Sequence, residues 1–128
     1  MNLPPITDGE LKILEVLWEE SPLPASQIAF RLGERVGWSK NTAYTFLTRL
    51  VTKGVIKRTN PGFLCRPLIT RDAVGVSEGR SFLKRIHRGS LSMMVASFVN
   101  EKGISKEELA EIRQMVNDCK MDEAGEKA

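Results

Sequence analysis

Asn41, Tyr44, Thr45, Thr48 and Thr52 lie three and four residues apart, with Thr42 and Arg49 at their margin and no carboxylate among them. At 100° per residue these side chains gather on one face of a helix. Amide, hydroxyl and guanidinium groups donate to and accept from base edges and phosphate oxygens. The chemistry open to such a face is therefore hydrogen bonding to a nucleic acid. The charge around it has the same sense, because residues 35–66 contain Arg35, Lys40, Arg49, Lys53, Lys57, Arg58 and Arg66 without one Asp or Glu. A local field of one sign suits a polyanion. The candidate DNA contacts are Lys40, Asn41, Thr42, Tyr44, Thr45, Thr48, Arg49, Lys53, Lys57 and Arg58. Against this stands the plainer alternative of a solvated polar helix face.

Bond-making chemistry finds little support. The chain has no Gly-x-Ser-x-Gly and no phosphate-cradling glycine-rich loop, and its single His87 has no partner nearby in sequence. Cys65 and Cys119 are far apart and not in Cys-x-x-Cys spacing, so neither a disulfide framework nor a metal site is expected, and no cofactor is implied. An enzyme using Cys65 or His87 would lack the other half of its machinery. The N-terminal residues lack a basic stretch followed by an apolar one, and no apolar run approaches the ~20 residues of a membrane span, so a cytoplasmic protein is expected.

The elements that must carry the polar face are legible from caps and periodicity. Thr7-Asp8-Gly9-Glu10 has the form of a capping box, and Leu11, Leu14 and Trp18 with Ile13 and Leu17 make the stripe of a first helix ending near Ser21-Pro22. Pro24 opens a second helix with Ile28, Ala29, Leu32 and Val36 in register, closed by Gly37. Ser39 caps a third, running to Lys53 with Gly54 as its stop, and Ala43, Phe46, Leu47 and Leu50 form its apolar side. Val55–Thr59 and Phe63–Leu68, either side of Asn60-Pro61-Gly62, read as two strands and a tight turn. Three helices followed by a hairpin is the winged-helix order.

From Arg71 the pattern is helical again, weakened by Gly75 and Gly79 and firm over Ser81–Arg88. Gly89 breaks it. Leu91, Met94, Val95, Phe98 and Val99 then mark a fifth helix, and a second capping-box pattern, Ser105-Lys106-Glu107-Glu108, opens a sixth with Leu109, Ile112, Val116 and Cys119 in its stripe. These helices are too few to bury their own stripes, so Phe82, Leu83, Leu91, Val95, Phe98, Leu109, Ile112 and Val116 are expected to pack against a second copy. The fold class expected is mainly α: a winged helix-turn-helix DNA-binding domain over 1–70, a helical dimerisation domain over 71–120, and a disordered tail over 121–128.

The run from Trp38 to Gly54 resembles the recognition helix of the penicillinase repressor (BlaI/MecI) family, with its T-x-x-T-x-L-x-R-L-x-x-K-G pattern. Ser81-Phe82-Leu83-Lys84-Arg85, Gly89-Ser90 and Ser105-Lys106-Glu107-Glu108-Leu109 extend the likeness over most of residues 6–120. The resemblance implies a homodimeric repressor of a palindromic operator, of β-lactam resistance or related genes, with Thr42, Thr45 and Arg49 as DNA contacts. Asn41 stands where the best-known members carry Lys, which leaves the operator sequence open. The copper-responsive branch carries a C-terminal cysteine cluster that this chain lacks. The resemblance also implies a sensor-linked protease as a partner, cutting within the fifth helix at a bond that falls here on Ser97-Phe98; with Ser97 in place of the family's Asn, either the protease accepts a small polar residue there or release answers to another signal. A different class of function, a winged-helix module docking on protein without reading DNA, would call for exposed aromatic or aliphatic anchors. On the third helix Tyr44 is the sole large one.

Overall fold

The computed structural model describes residues 3–119, so the expected tail over 121–128 lies outside the described residues. Six helices and three short strands follow one another: α1 (Asp8–Glu19), β1 (Leu23–Pro24), α2 (Ala25–Val36), α3 (Lys40–Lys53), β2 (Ile56–Thr59), β3 (Leu64–Pro67), α4 (Arg71–Ile86), α5 (Leu91–Asn100) and α6 (Lys106–Asp118). The chain divides into two compact units, and the division falls between Ser81 and Phe82, within α4.

In the first unit the local signals decide where helices begin and end. Thr7 and Glu10 form the reciprocal capping box of α1. Gly37 and Gly54 close α2 and α3 with left-handed φ values of 73° and 79°, where a side chain would be strained. Ser39 Oγ accepts from the Thr42 amide at 3.2 Å and caps α3. Ile13, Leu14 and Leu17 of α1, Ile28 and Leu32 of α2, and Leu47 and Leu50 of α3 meet in one core, which Val55, just before β2, closes together with Ile56 and Cys65 of the sheet. Each fully buried Leu or Ile there stabilises the unit by about 1.5–3 kcal/mol.

The sheet is antiparallel with strand order β1-β3-β2. Strand β1 has no signature in the sequence, because two residues carry no period. It exists because Leu23 is buried and pairs opposite Cys65. Helix α4 departs from expectation in a similar way. Its glycine-weakened start is continuous helix, held by buried Val74, by the Thr70 hydroxyl accepting from the Ala73 amide at 3.0 Å, and by Arg71 lying over the Trp18 ring. Trp18 in turn donates its indole N–H to the Ile69 carbonyl at 2.9 Å. Tertiary packing overrides the ~1 kcal/mol helix penalty of each glycine.

In the second unit α4 ends at Ile86, two residues before the expected limit, and Arg88 and Gly89 turn the chain with φ of 55° and 83°. Ser90 caps α5 and Ser105 caps α6. The second capping box forms by half. The Ser105 hydroxyl accepts from the Glu108 amide at 3.0 Å, without the return bond from the Ser105 amide to the Glu108 carboxylate that the sequence pattern predicts. Neither α5 nor α6 contains a buried residue within the single chain.

Candidate nucleic-acid interface

The candidate interface lies on α3 and on the β2–β3 hairpin that follows it. Ala43, Leu47 and Leu50 are buried and fix the rotation of α3 about its axis. Lys40, Asn41, Thr45, Thr48, Arg49 and Thr52 are consequently exposed together on its outer side. Thr42 is half-buried, its hydroxyl hydrogen-bonded to that of Ser39 at 3.0 Å, and Thr45 donates its hydroxyl to the Asn41 carbonyl at 2.9 Å. Both threonine oxygens keep acceptor capacity, while the rotamers are held by these local bonds.

Tyr44 differs from its neighbours on the helical wheel. Its ring is half-buried against the core cluster, with the Lys40 ammonium 5.6 Å from its centroid. The one large anchor on the polar face is thus partly withdrawn. Arg49 has a support that the sequence did not disclose. Trp38 and Phe46 stack at 4.9 Å, and the Arg49 guanidinium lies 5.1 Å from the Phe46 ring, a cation–π arrangement that extends the stack outward. Space for that stack depends on Gly9, where a β-carbon would fall 2.4 Å from Phe46 Cζ.

On the hairpin, Lys57, Arg58 and Arg66 are exposed, and the Arg58 guanidinium lies over the Phe63 ring at 5.2 Å. Lys57 sits directly opposite Arg66 across the β2–β3 pair. Like charges in opposite positions are unfavourable in isolation, and an anion between them removes the cost. Arg66 was not among the sequence candidates, although it belongs to the same acid-free run. Beneath the hairpin, burial pushes the Cys65 thiol pKa up while nearby Arg58 pulls it down, and Cys65 Sγ donates to the Phe63 carbonyl. The thiol stays protonated and serves packing.

The seven cations of residues 35–66 separate into two groups. Arg35 pairs with Glu19, and Lys53 pairs with Glu10 at 2.6 Å, so both are engaged within the unit. Lys40, Arg49, Lys57, Arg58 and Arg66 take part in no ion pair among the described residues. Nine of the ten sequence candidates thus lie on α3 and β2 without a carboxylate partner. Lys53 alone is paired with a carboxylate. Among the described residues no cluster of His, Cys, Asp or Glu could hold a metal ion, and no helix is long and apolar enough to cross a membrane.

Residues expected to meet a second copy lie at the surface of the chain. Phe82, Leu91, Phe98 and Val116 are 41–61 % exposed, and Leu83, Val95, Leu109 and Ile112 are half-buried. The Ser97-Phe98 bond is in the later turns of α5, with the Ser97 hydroxyl donating to the Met93 carbonyl at 3.0 Å.

Comparison with known proteins places these features. The family described as penicillinase repressor matches residues 6–118. The penicillinase repressor of Bacillus licheniformis is 31% identical over 121 residues, spanning 93% of this chain and 94% of its own. The methicillin resistance regulatory protein MecI of Staphylococcus aureus is 25% identical over 114 residues, spanning 88% and 93%. Among solved structures, the DNA-binding domain of the repressor BlaI aligns with 56% of this chain and 90% of its own at a TM-score of 0.51 and 31% identity. The monomeric form of Bacillus licheniformis BlaI in complex with the blaP half-operator aligns with 56% and 89% at a TM-score of 0.50 and 30% identity.

Proposed function

The chain belongs to the penicillinase repressor family, and from that premise we propose that it is a transcriptional repressor that binds a palindromic operator as a homodimer. The observation that carries this reading is the set of five exposed cations, Lys40, Arg49, Lys57, Arg58 and Arg66, free of carboxylate partners on one helix and the adjoining hairpin. In the assignment, Asn41, Thr42, Thr45, Thr48 and Arg49 address base edges and phosphates in the major groove, and Lys57, Arg58 and Arg66 hold the neighbouring backbone. A helix fits that groove, and two copies related by a two-fold axis read half-sites about one turn of DNA, ~10 bp, or a small multiple apart. The second copy is supported by α5 and α6, whose apolar stripes are left exposed or only half-buried among the described residues.

Genes of β-lactam resistance or related genes are the targets that the family membership favours. Release is assigned to cleavage of Ser97-Phe98 by a sensor-linked protease. The bond lies in an ordered helix, so the protease acts on a locally opened form. Cutting there removes the end of α5 and all of α6, and with them the linkage that raises the avidity of paired modules by ~10²–10⁴ fold. A protein-docking module with no DNA ligand is disfavoured by the half-burial of Tyr44.

The test is selection of duplexes from a randomised pool by the full chain, followed by titration in salt. A palindromic sequence is expected, bound with an affinity that falls ~10³–10⁵ fold between 50 and 200 mM salt if 6–10 phosphates are contacted. Failure to enrich any sequence, with a flat salt response, would overturn the reading.

A further inference from the structure

Lys53 ends α3 with its ammonium turned away from the polar face, donating to Glu10 Oε1 at 2.6 Å and to the Pro5 carbonyl at 2.7 Å. Among the described residues Glu10 is the single buried charged one, 1% exposed. The same carboxylate oxygen accepts from the Thr7 amide at 2.9 Å, and the Glu10 amide donates back to the Thr7 hydroxyl at 3.2 Å. Three segments therefore meet at one carboxylate: the approach to α1, its first turn, and the last turn of α3. An ammonium has three N–H donors, and two of these are taken. Swinging Lys53 out to a phosphate would leave a buried carboxylate without its counter-charge.

The place of this pair in the chain gives it a further consequence. Gly54 turns the chain immediately after Lys53, Val55 bonds back to Leu50 and accepts from Leu68, and Ile56 begins β2. Both DNA-reading elements thus depart from the point at which Lys53 is fixed. Thr42 lies eleven residues up the helix, ~16 Å at 1.5 Å per residue, so a tilt of ~5° about the Lys53 end displaces it by ~1.5 Å. Such a shift takes a hydrogen bond from 2.9 Å beyond its useful range.

We propose that Glu10 and Lys53 form the anchor that sets the attitude of recognition helix and wing on DNA, and that Lys53 is a positioning residue that touches no phosphate. The inference rests on the DNA-binding reading above.

The experiment compares K53M, E10Q and the E10M/K53M double variant of the full chain, by fluorescence anisotropy on the duplex selected by the wild type, over a range of salt. K53M and E10Q are each expected to weaken binding by about tenfold, within the range typical of coupled sites. Both should keep the wild-type slope of log affinity against log salt, and the double variant should bind no worse than either single one. The slope belongs to the bound complex, so it stays readable even if a variant is partly unfolded. The proposal is overturned if K53M flattens the slope by about 0.9 per protomer, the mark of a lost phosphate contact, while E10Q, which frees the ammonium, binds as well as or better than wild type. It is equally overturned if all three variants bind with unchanged affinity. A wild-type chain that enriches no sequence overturns the DNA-binding reading, and this anchor with it.

Discussion

At the scale of single residues, Glu10 and Gly9 carry more of this protein than their place in a capping sequence indicates. Burial by itself would raise the Glu10 carboxyl, but the Lys53 hydrogen bond, the Thr7 backbone N–H and the Lys53 charge together hold it below its ordinary 4.5. A folded value below the unfolded one gives stability that is fully present above the unfolded value and is lost as pH falls through the folded value. Urea melts of the wild type should therefore weaken as pH is lowered below 4.5, and E10Q should lose less of its remaining stability over that window. An equal loss in both would place the acid sensitivity in other carboxylates. At Gly9 the constraint is steric. The added β-carbon of G9A would press on the Phe46 ring at 2.4–2.8 Å, between α1 and the Trp38–Phe46–Arg49 stack. Overpacking of this kind costs about 1–3 kcal/mol, to be read as a lowered urea midpoint with unchanged m-value.

Among the elements, α4 is where local preference and tertiary structure disagree most openly. Gly75 and Gly79 lie within a continuous helix, and a β-carbon at either meets nothing within 4 Å. Replacing them with alanine should then remove backbone freedom from the unfolded chain without a steric cost, stabilising by about 0.5–1 kcal/mol each. Thermal unfolding of G75A and G79A checks this, and a fall in melting temperature would show that the glycines serve a bend or a close approach absent from the single chain. In α3 the arrangement is the converse, since propensity, caps and burial agree from Ser39 to Gly54.

For the whole molecule, the second unit shows a chain that has not finished burying itself. Ile86, Leu91, Met93, Phe98, Val99, Met115 and Val116 are all more than two-fifths exposed. Apolar surface on that scale is seldom left to water in a soluble domain. The homodimer proposed above covers it. Leu109→Glu or Phe82→Glu would put an unpaired charge into that cover, at a cost a shared core cannot absorb. Light scattering should report monomers, and a stable dimer from both variants would place the contact elsewhere.

What the sequence determined by itself was most of what residues three or four positions apart govern. The capping box of α1, the Ser39 cap, the glycine stops at 37 and 54, and the three-helix-then-hairpin order were all legible, because caps, turns and periodic stripes are local physics. The acid-free run of 35–66 was equally plain as composition. Tertiary structure alone decided which of those cations are available. Lys53 meets a carboxylate 43 residues away, and Arg35 one 16 residues away, so no window along the chain could separate them from Lys40 or Arg49. The same reason hid β1, which exists through its pairing with Cys65, the half-burial of Tyr44 against the core, and the continuity of α4 across two glycines. Each is fixed by a neighbour distant in sequence, and a long-range contact outweighs a local preference of a kilocalorie or less.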